Sequence, residues 1–144
     1  MKQEPPGALD HVRGYRCAND VSARNIQYAE SQWTRAKGFD TFCPLGDRIV
    51  LVSELGDGSG LRVVQRLNGE VLPDGNTNDL IFSVPVLIAF VSNVFTLEPG
   101  DLILTGTPPG VGYARDPKIS LKPGDTVEVE VEGIGVRSNP VAGA

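Results

Sequence analysis

Asn68-Gly69 stands between two strand-forming stretches, Leu61–Leu67 and Glu70–Leu72, and no other short feature limits the fold so sharply. Both residues of such a pair accept a left-handed backbone, so the chain can reverse in two residues with the twist that antiparallel strands need. The two stretches are therefore predicted to be paired neighbours. With 17 Gly and 11 Pro in 144 residues, turns are dense and strands must be short, which favours a β-rich architecture. Val127, Val129 and Val131 alternate with Glu128, Glu130 and Glu132, the pattern of a strand with one buried and one wet face. Further short strands are predicted at 14–18, 49–55 and 102–104. Turns are predicted at Pro99-Gly100-Asp101 and Pro123-Gly124-Asp125, and loops at Phe39–Gly46 and Gly56–Gly60.

Two segments favour helix. Ser83 followed by Pro85 marks a helix start, and Val84, Leu87, Ile88, Val91 and Phe95 fall on one stripe. Ser22 is a suitable N-cap for a segment over Ala23–Lys37 that is helical in part around Trp33. The expected class is mainly β with a few short helices (α+β). Residues 1–13 read as an exposed lead-in and residues 14–144 as one domain.

The net charge is −5, and Lys and Arg are scattered along the chain, which argues against nucleic acid and anionic membranes as partners. The longest apolar run, Leu80–Phe95, is too short and too polar to cross a bilayer. Cys17 and Cys43 have no metal-finger spacing, and no apolar leader is visible. Reduced thiols in a cytoplasmic protein are expected.

The chemistry-bearing residues are concentrated near the N-terminus. Asp20 and Arg24 are spaced to share a helix face, as a local ion pair or as part of a site. Around them lie Asn19, Ser22, Asn25, Gln27, Lys37 and Thr41. A carboxylate, a guanidinium, an amide and an ammonium so close together suit an anionic substrate beside a hard divalent cation. Thr105-Gly106-Thr107-Pro108-Pro109-Gly110-Val111-Gly112 is either a tight connection or a loop that exposes backbone to an anion, and no Gly-Lys-Ser/Thr follows to make it a P-loop. The Glu128, Glu130, Glu132 series reads as a solvated strand face rather than a metal motif. His11 is the only histidine and is a weak candidate for a hydrolytic base.

Three segments together resemble the catalytic domain of the fumarylacetoacetate hydrolase family. They are Gly14-Tyr15 with Asn19-Asp20-Val21-Ser22-Ala23-Arg24 and Gln27; Lys37-Gly38-Phe39-Asp40-Thr41; and Thr96–Asp101 running into Thr105–Gly112. The similarity covers about Gly14 to Asn139. It implies a mixed β-sandwich roll, incomplete at its N-terminus. It also implies a Mg²⁺ or Mn²⁺ ion (Ca²⁺ in some members) and a small anionic keto acid as substrate. By the same resemblance Asp20 is a metal ligand, Thr41 lies in the layer behind it, and Lys37 sits beside the metal, where it could steady an enolate. Arg24 orients the Asp20 region, and Gln27, Thr107 and Gly106 contact substrate.

The implied activity is hydrolysis of a C–C bond in a 3-acylpyruvate or a related 2-oxo or 2-hydroxy dienoate. The alternatives are an isomerase or decarboxylase of the 2-hydroxyhepta-2,4-dienedioate type, or an inactive remnant that binds dicarboxylates or dimerises. The family's Glu-x-Glu ligand pair belongs upstream of Asp20, where only nineteen residues stand and Glu4 is isolated. A homodimer is expected, completed by an N-terminal segment or a companion chain.

Overall fold

The computed structural model describes residues 6–143, so Glu4 and the front of the lead-in lie outside the described residues. The Asn68-Gly69 turn forms as predicted, with φ of 52° at Asn68 and 84° at Gly69. It joins β3 (Arg62–Leu67) to β4 (Glu70–Asn76). Two more strands, β5 (Thr126–Val131) and β6 (Gly135–Pro140), complete an antiparallel sheet in the order β4-β3-β5-β6. Pro73 falls inside β4, which is tolerated because β4 is an edge strand. The β3–β4 register slips between Val64 and Arg66, opposite that proline.

The Val/Glu alternation of β5 resolves as expected. Val127 and Val129 are buried. Glu130 pairs with Arg66 at 2.7 Å, and Glu132 accepts the Arg62 backbone N–H. Val64 on β3 stands opposite Glu130, so it is buried on the glutamate-bearing face of the sheet. A second, two-stranded sheet pairs β1 (Gly14–Tyr15) with β2 (Val50–Leu51). It joins the first through Cys17 and Val50, which cluster with Val129 and Ile134. The buried Cys17 thiol donates to the Gly135 carbonyl, and burial raises its pKa above the ordinary thiol value. Cys43 is half-buried and is also free.

Several predicted elements come out differently, among them the 14–18 strand, which pairs only over Gly14–Tyr15 with an isolated bridge at Ala18. Ser22 is not the N-cap: its hydroxyl donates to the Asp20 carbonyl, and Ala23 occupies the cap position of α1 (Arg24–Ala29). The helix then breaks, and α2 (Thr34–Lys37) folds back so that the Ala23 N–H reaches the Ala36 carbonyl. Ala36 is fully buried in that contact, which a continuous helix could not make.

The predicted 49–55 strand stops after two paired residues and becomes the short helix α3 (Val52–Leu55), where Glu54 reaches back to the Leu51 N–H. The last helix, α4 (Val84–Ser92), starts at Ser83 but ends before Phe95, which is exposed. Leu102–Leu104 forms no ladder, and Leu102 and Leu104 are exposed: among the described residues no strand lies beside them. Within the lead-in, Ala8–His11 forms a 3-10 turn against α4, with Ala8 buried and His11 exposed.

Candidate functional site

Asp20 lies in the irregular link between β1 and α1, a link tied down by the Asn19 N–H donating to the Pro44 carbonyl. The fold-back of α2 carries Lys37 to it, and the Lys37 ammonium donates to Asp20 Oδ2 in an ion pair. Both side chains are about one-third exposed, so the pair is reachable from solvent. The Asp20–Arg24 pairing suggested by their spacing does not form. Asp20 precedes the helix, and Arg24 instead donates to Gln27 Oε1 at 2.7 Å. Gln27 is the buried polar side chain of this region, and that bond fixes its amide orientation.

Thr41 follows α2 in a tight turn closed by the Phe42 N–H donating to the Phe39 carbonyl. Its φ is 68°, and a β-branched residue held in the left-handed region costs about 1–2 kcal/mol. The turn is therefore set in shape by its surroundings. Thr41 is exposed, and no hydrogen bond joins it to Asp20 or Lys37 among the described residues.

The Thr105–Gly112 loop is fixed at three points. Pro108 packs on Gly75, Arg115 donates to the carbonyls of Gly110 and Leu72, and Gly106 lies against Leu80. Gly106 and Thr107 are exposed, and no hydrogen bond joins them to Asp20, Lys37 or Gln27 among the described residues. The link to α1 comes from residues that the sequence did not single out. Tyr113, just beyond the loop, stacks on Tyr28 with centroids 4.9 Å apart. Arg24 and Lys118 lie 6.0 and 4.1 Å from the Tyr113 ring centroid. Tyr28 stands next to Gln27, and an aromatic residue directly after a Gly/Pro loop was the available signal.

No group of three or more His, Cys, Asp or Glu side chains that could hold a metal ion exists among the described residues. Asp20 is a single carboxylate already committed to Lys37, so the described residues do not by themselves suit a divalent cation. Two surface hollows lie elsewhere, one lined by Asp57, Thr77, Asn78 and Ser83, the other by Arg62, Glu130 and Glu132. Neither contains a residue of the Asp20 cluster. Among the described residues no helix is long and apolar enough to cross a membrane.

Antiparallel sheets with few short helices carry a polar cluster at the start of α1 and the end of α2. The chain belongs to the fumarylacetoacetate hydrolase family, whose members are hydrolases, isomerases or tautomerases. A family profile described as fumarylacetoacetate (FAA) hydrolase C-terminal matches residues 2–142. The chain is 49% identical over 136 residues to the human mitochondrial oxaloacetate tautomerase FAHD2A, covering 93% of this chain and 43% of the relative. Among solved structures, the fumarylacetoacetate hydrolase of Exiguobacterium antarcticum superposes with a TM-score of 0.93 at 40% identity, over 100% of this chain and 52% of that one. The 2-hydroxyhepta-2,4-diene-1,7-dioate isomerase of Mycobacterium marinum gives 0.85 at 46% identity, over 94% and 50%. The chain spans about half the length of the relatives it matches.

Proposed function

We propose that this chain supplies the Asp20–Lys37 and Arg24–Gln27 part of an active site that binds a small anionic 2-oxo acid. The reaction is C–C bond hydrolysis of a 3-acylpyruvate, or tautomerisation or isomerisation of a related 2-oxo acid. The observation that carries this reading is the Lys37–Asp20 ion pair at the end of α2, which packs on α1, the helix that holds the buried, oriented amide of Gln27. An ammonium held by a carboxylate at the rim of a site can neutralise an oxyanion that develops on a 2-oxo group as it enolises. Gln27, its oxygen taken by Arg24, has amide N–H groups with no acceptor among the described residues, which could donate to a substrate carboxylate or carbonyl. Gly106 and Thr107 are the substrate contacts proposed from the loop side, and Thr41 supports the turn after Lys37.

Asp20 is proposed as one ligand of a Mg²⁺ or Mn²⁺ ion, the other carboxylates coming from beyond the described residues. A homodimer is the proposed assembly. Relatives named as tautomerase, hydrolase and isomerase support the class and leave the choice of reaction to experiment. Titration calorimetry with acetylpyruvate in the presence of Mg²⁺ tests the site. Lys37→Met is expected to weaken binding by about tenfold or more, the worth of one well-placed charged contact. Unchanged binding in both Lys37→Met and Asp20→Asn would place the site elsewhere.

A further inference from the structure

Two cations converge on the Tyr113 ring. Lys118 Nζ lies 4.1 Å from the ring centroid and the Arg24 guanidinium 6.0 Å. Arg35, Lys37, Arg62, Arg66 and Arg137 each pair with a carboxylate, whereas Arg13, Arg16, Arg48, Arg115 and Lys122, like Arg24 and Lys118, have none among the described residues; what sets Arg24 and Lys118 apart is that both approach one ring. Arg24 bonds only the neutral amide of Gln27, and neither Arg24 nor Lys118 has a carboxylate partner among the described residues. In a chain of net charge −5, two unneutralised cations converging on one ring mark a place suited to an anion.

The ring is itself anchored. Tyr113 stacks on Tyr28, and the segment behind it is pinned by Arg115 and by the Ile119 N–H donating to the Gly112 carbonyl. Stacking on an aromatic face limits where each cation can go, so part of the ordering cost is met before a ligand arrives.

We infer that Lys118, with Tyr113 and Arg24, binds the second carboxylate of a dicarboxylate ligand whose 2-oxo acid end lies at Gln27 and Lys37. Lys118 is thereby a specificity-determining residue. The inference rests on the site proposed above for the 2-oxo acid end. Arg24 bridges the two ends, since it touches Gln27 on one side and Tyr113 on the other. Lys118 is the separable part, because it is exposed and no hydrogen bond or ion pair joins it to Gln27 or Asp20 among the described residues.

The test uses the whole chain with Mg²⁺ present and two probes of equal carbon number, 2-oxobutanedioate and 2-oxobutanoate, in binding titrations. Lys118→Met is expected to weaken binding of the dicarboxylate about tenfold and to leave the monocarboxylate within twofold. Lys118→Arg, which keeps the charge, should restore most of the lost affinity. Equal weakening of both probes, no weakening of the dicarboxylate, or no binding of the dicarboxylate by the unaltered chain would each overturn the inference. Lys37→Met in parallel separates the two readings. If it leaves both probes unaffected while Lys118→Met still weakens the dicarboxylate, the anion site at Tyr113 stands and the placing of the 2-oxo end at Lys37 fails.

Discussion

Tyr28 and Tyr113 stack at 4.9 Å across a sequence separation that no local rule connects, and through them the Gly/Pro loop is held against α1. The loop is braced on its other side by Pro108 against Gly75. The polar residues of α1 and the exposed Gly106 and Thr107 thus belong to one braced assembly, although no hydrogen bond joins them directly.

The brace at Gly75 can be removed with one methyl group. A Cβ added there would lie 2.8 Å from Pro108 Cβ, closer than side chains approach. Gly75→Ala is expected to push the loop outward and weaken acetylpyruvate binding more than it lowers stability, with the cost of overpacking about 1–3 kcal/mol. Urea unfolding and calorimetric titration of the same variant check both halves.

Gly69 separates backbone strain from packing. Its φ is 84°, and an added Cβ would meet nothing within 4 Å. Gly69→Ala should therefore lower stability through backbone strain alone, by about 1–2 kcal/mol. Gly69→Asn, a residue at ease in this region, should recover most of it. Urea midpoints with an unchanged m-value are the expected signature.

Acid should loosen the hairpin end of the sheet. The Asn68 amide donates to Asp125 at 2.9 Å, and this bond, helped by the Lys122 backbone N–H, lowers the Asp125 pKa. Arg62 does the same for Asp74 through its side-chain hydrogen bonds. A carboxyl whose folded pKa is depressed contributes stability above its unfolded value, about 3.9, and loses it as pH falls through the folded value. Thermal unfolding followed from pH 6 downward should show this decline, and Asn68→Ala should remove the part that the Asn68 bond gives Asp125. A decline of the same size in Asn68→Ala would show that the Asn68 bond takes no part.

Apolar exposure around α4 points to self-association. Ile81 is 89% exposed and Phe90 70%, with Phe82, Val94 and Phe95 also exposed. A patch of this kind rarely stays open to water. Sedimentation at micromolar concentration is expected to show a dimer or larger species, shifted toward monomer by Phe90→Glu. A compact monomer before any substitution would count against the homodimer.

The hairpin at Asn68-Gly69, the Val/Glu strand, the two Pro-Gly-Asp turns and the start of α4 were legible in the sequence, because each is set by backbone preferences or side-chain periodicity within a few residues. So was the family. The chain folded otherwise where partners decided the outcome. Leu102–Leu104 has the composition of a strand, but a strand exists only with a neighbour to accept its hydrogen bonds. Ser22 could have capped a helix, yet the contact of Ala23 with Ala36 moved the cap and brought Lys37, seventeen residues away, onto Asp20 in place of Arg24. The place of Tyr113 after a Gly/Pro loop could be read locally, but its meeting with Arg24, Tyr28 and Lys118 could not, since the contacts with Arg24 and Tyr28 are long-range. Local sequence determines which turns and faces are possible; which charges meet depends on where distant segments pack, and that was settled only by the tertiary structure.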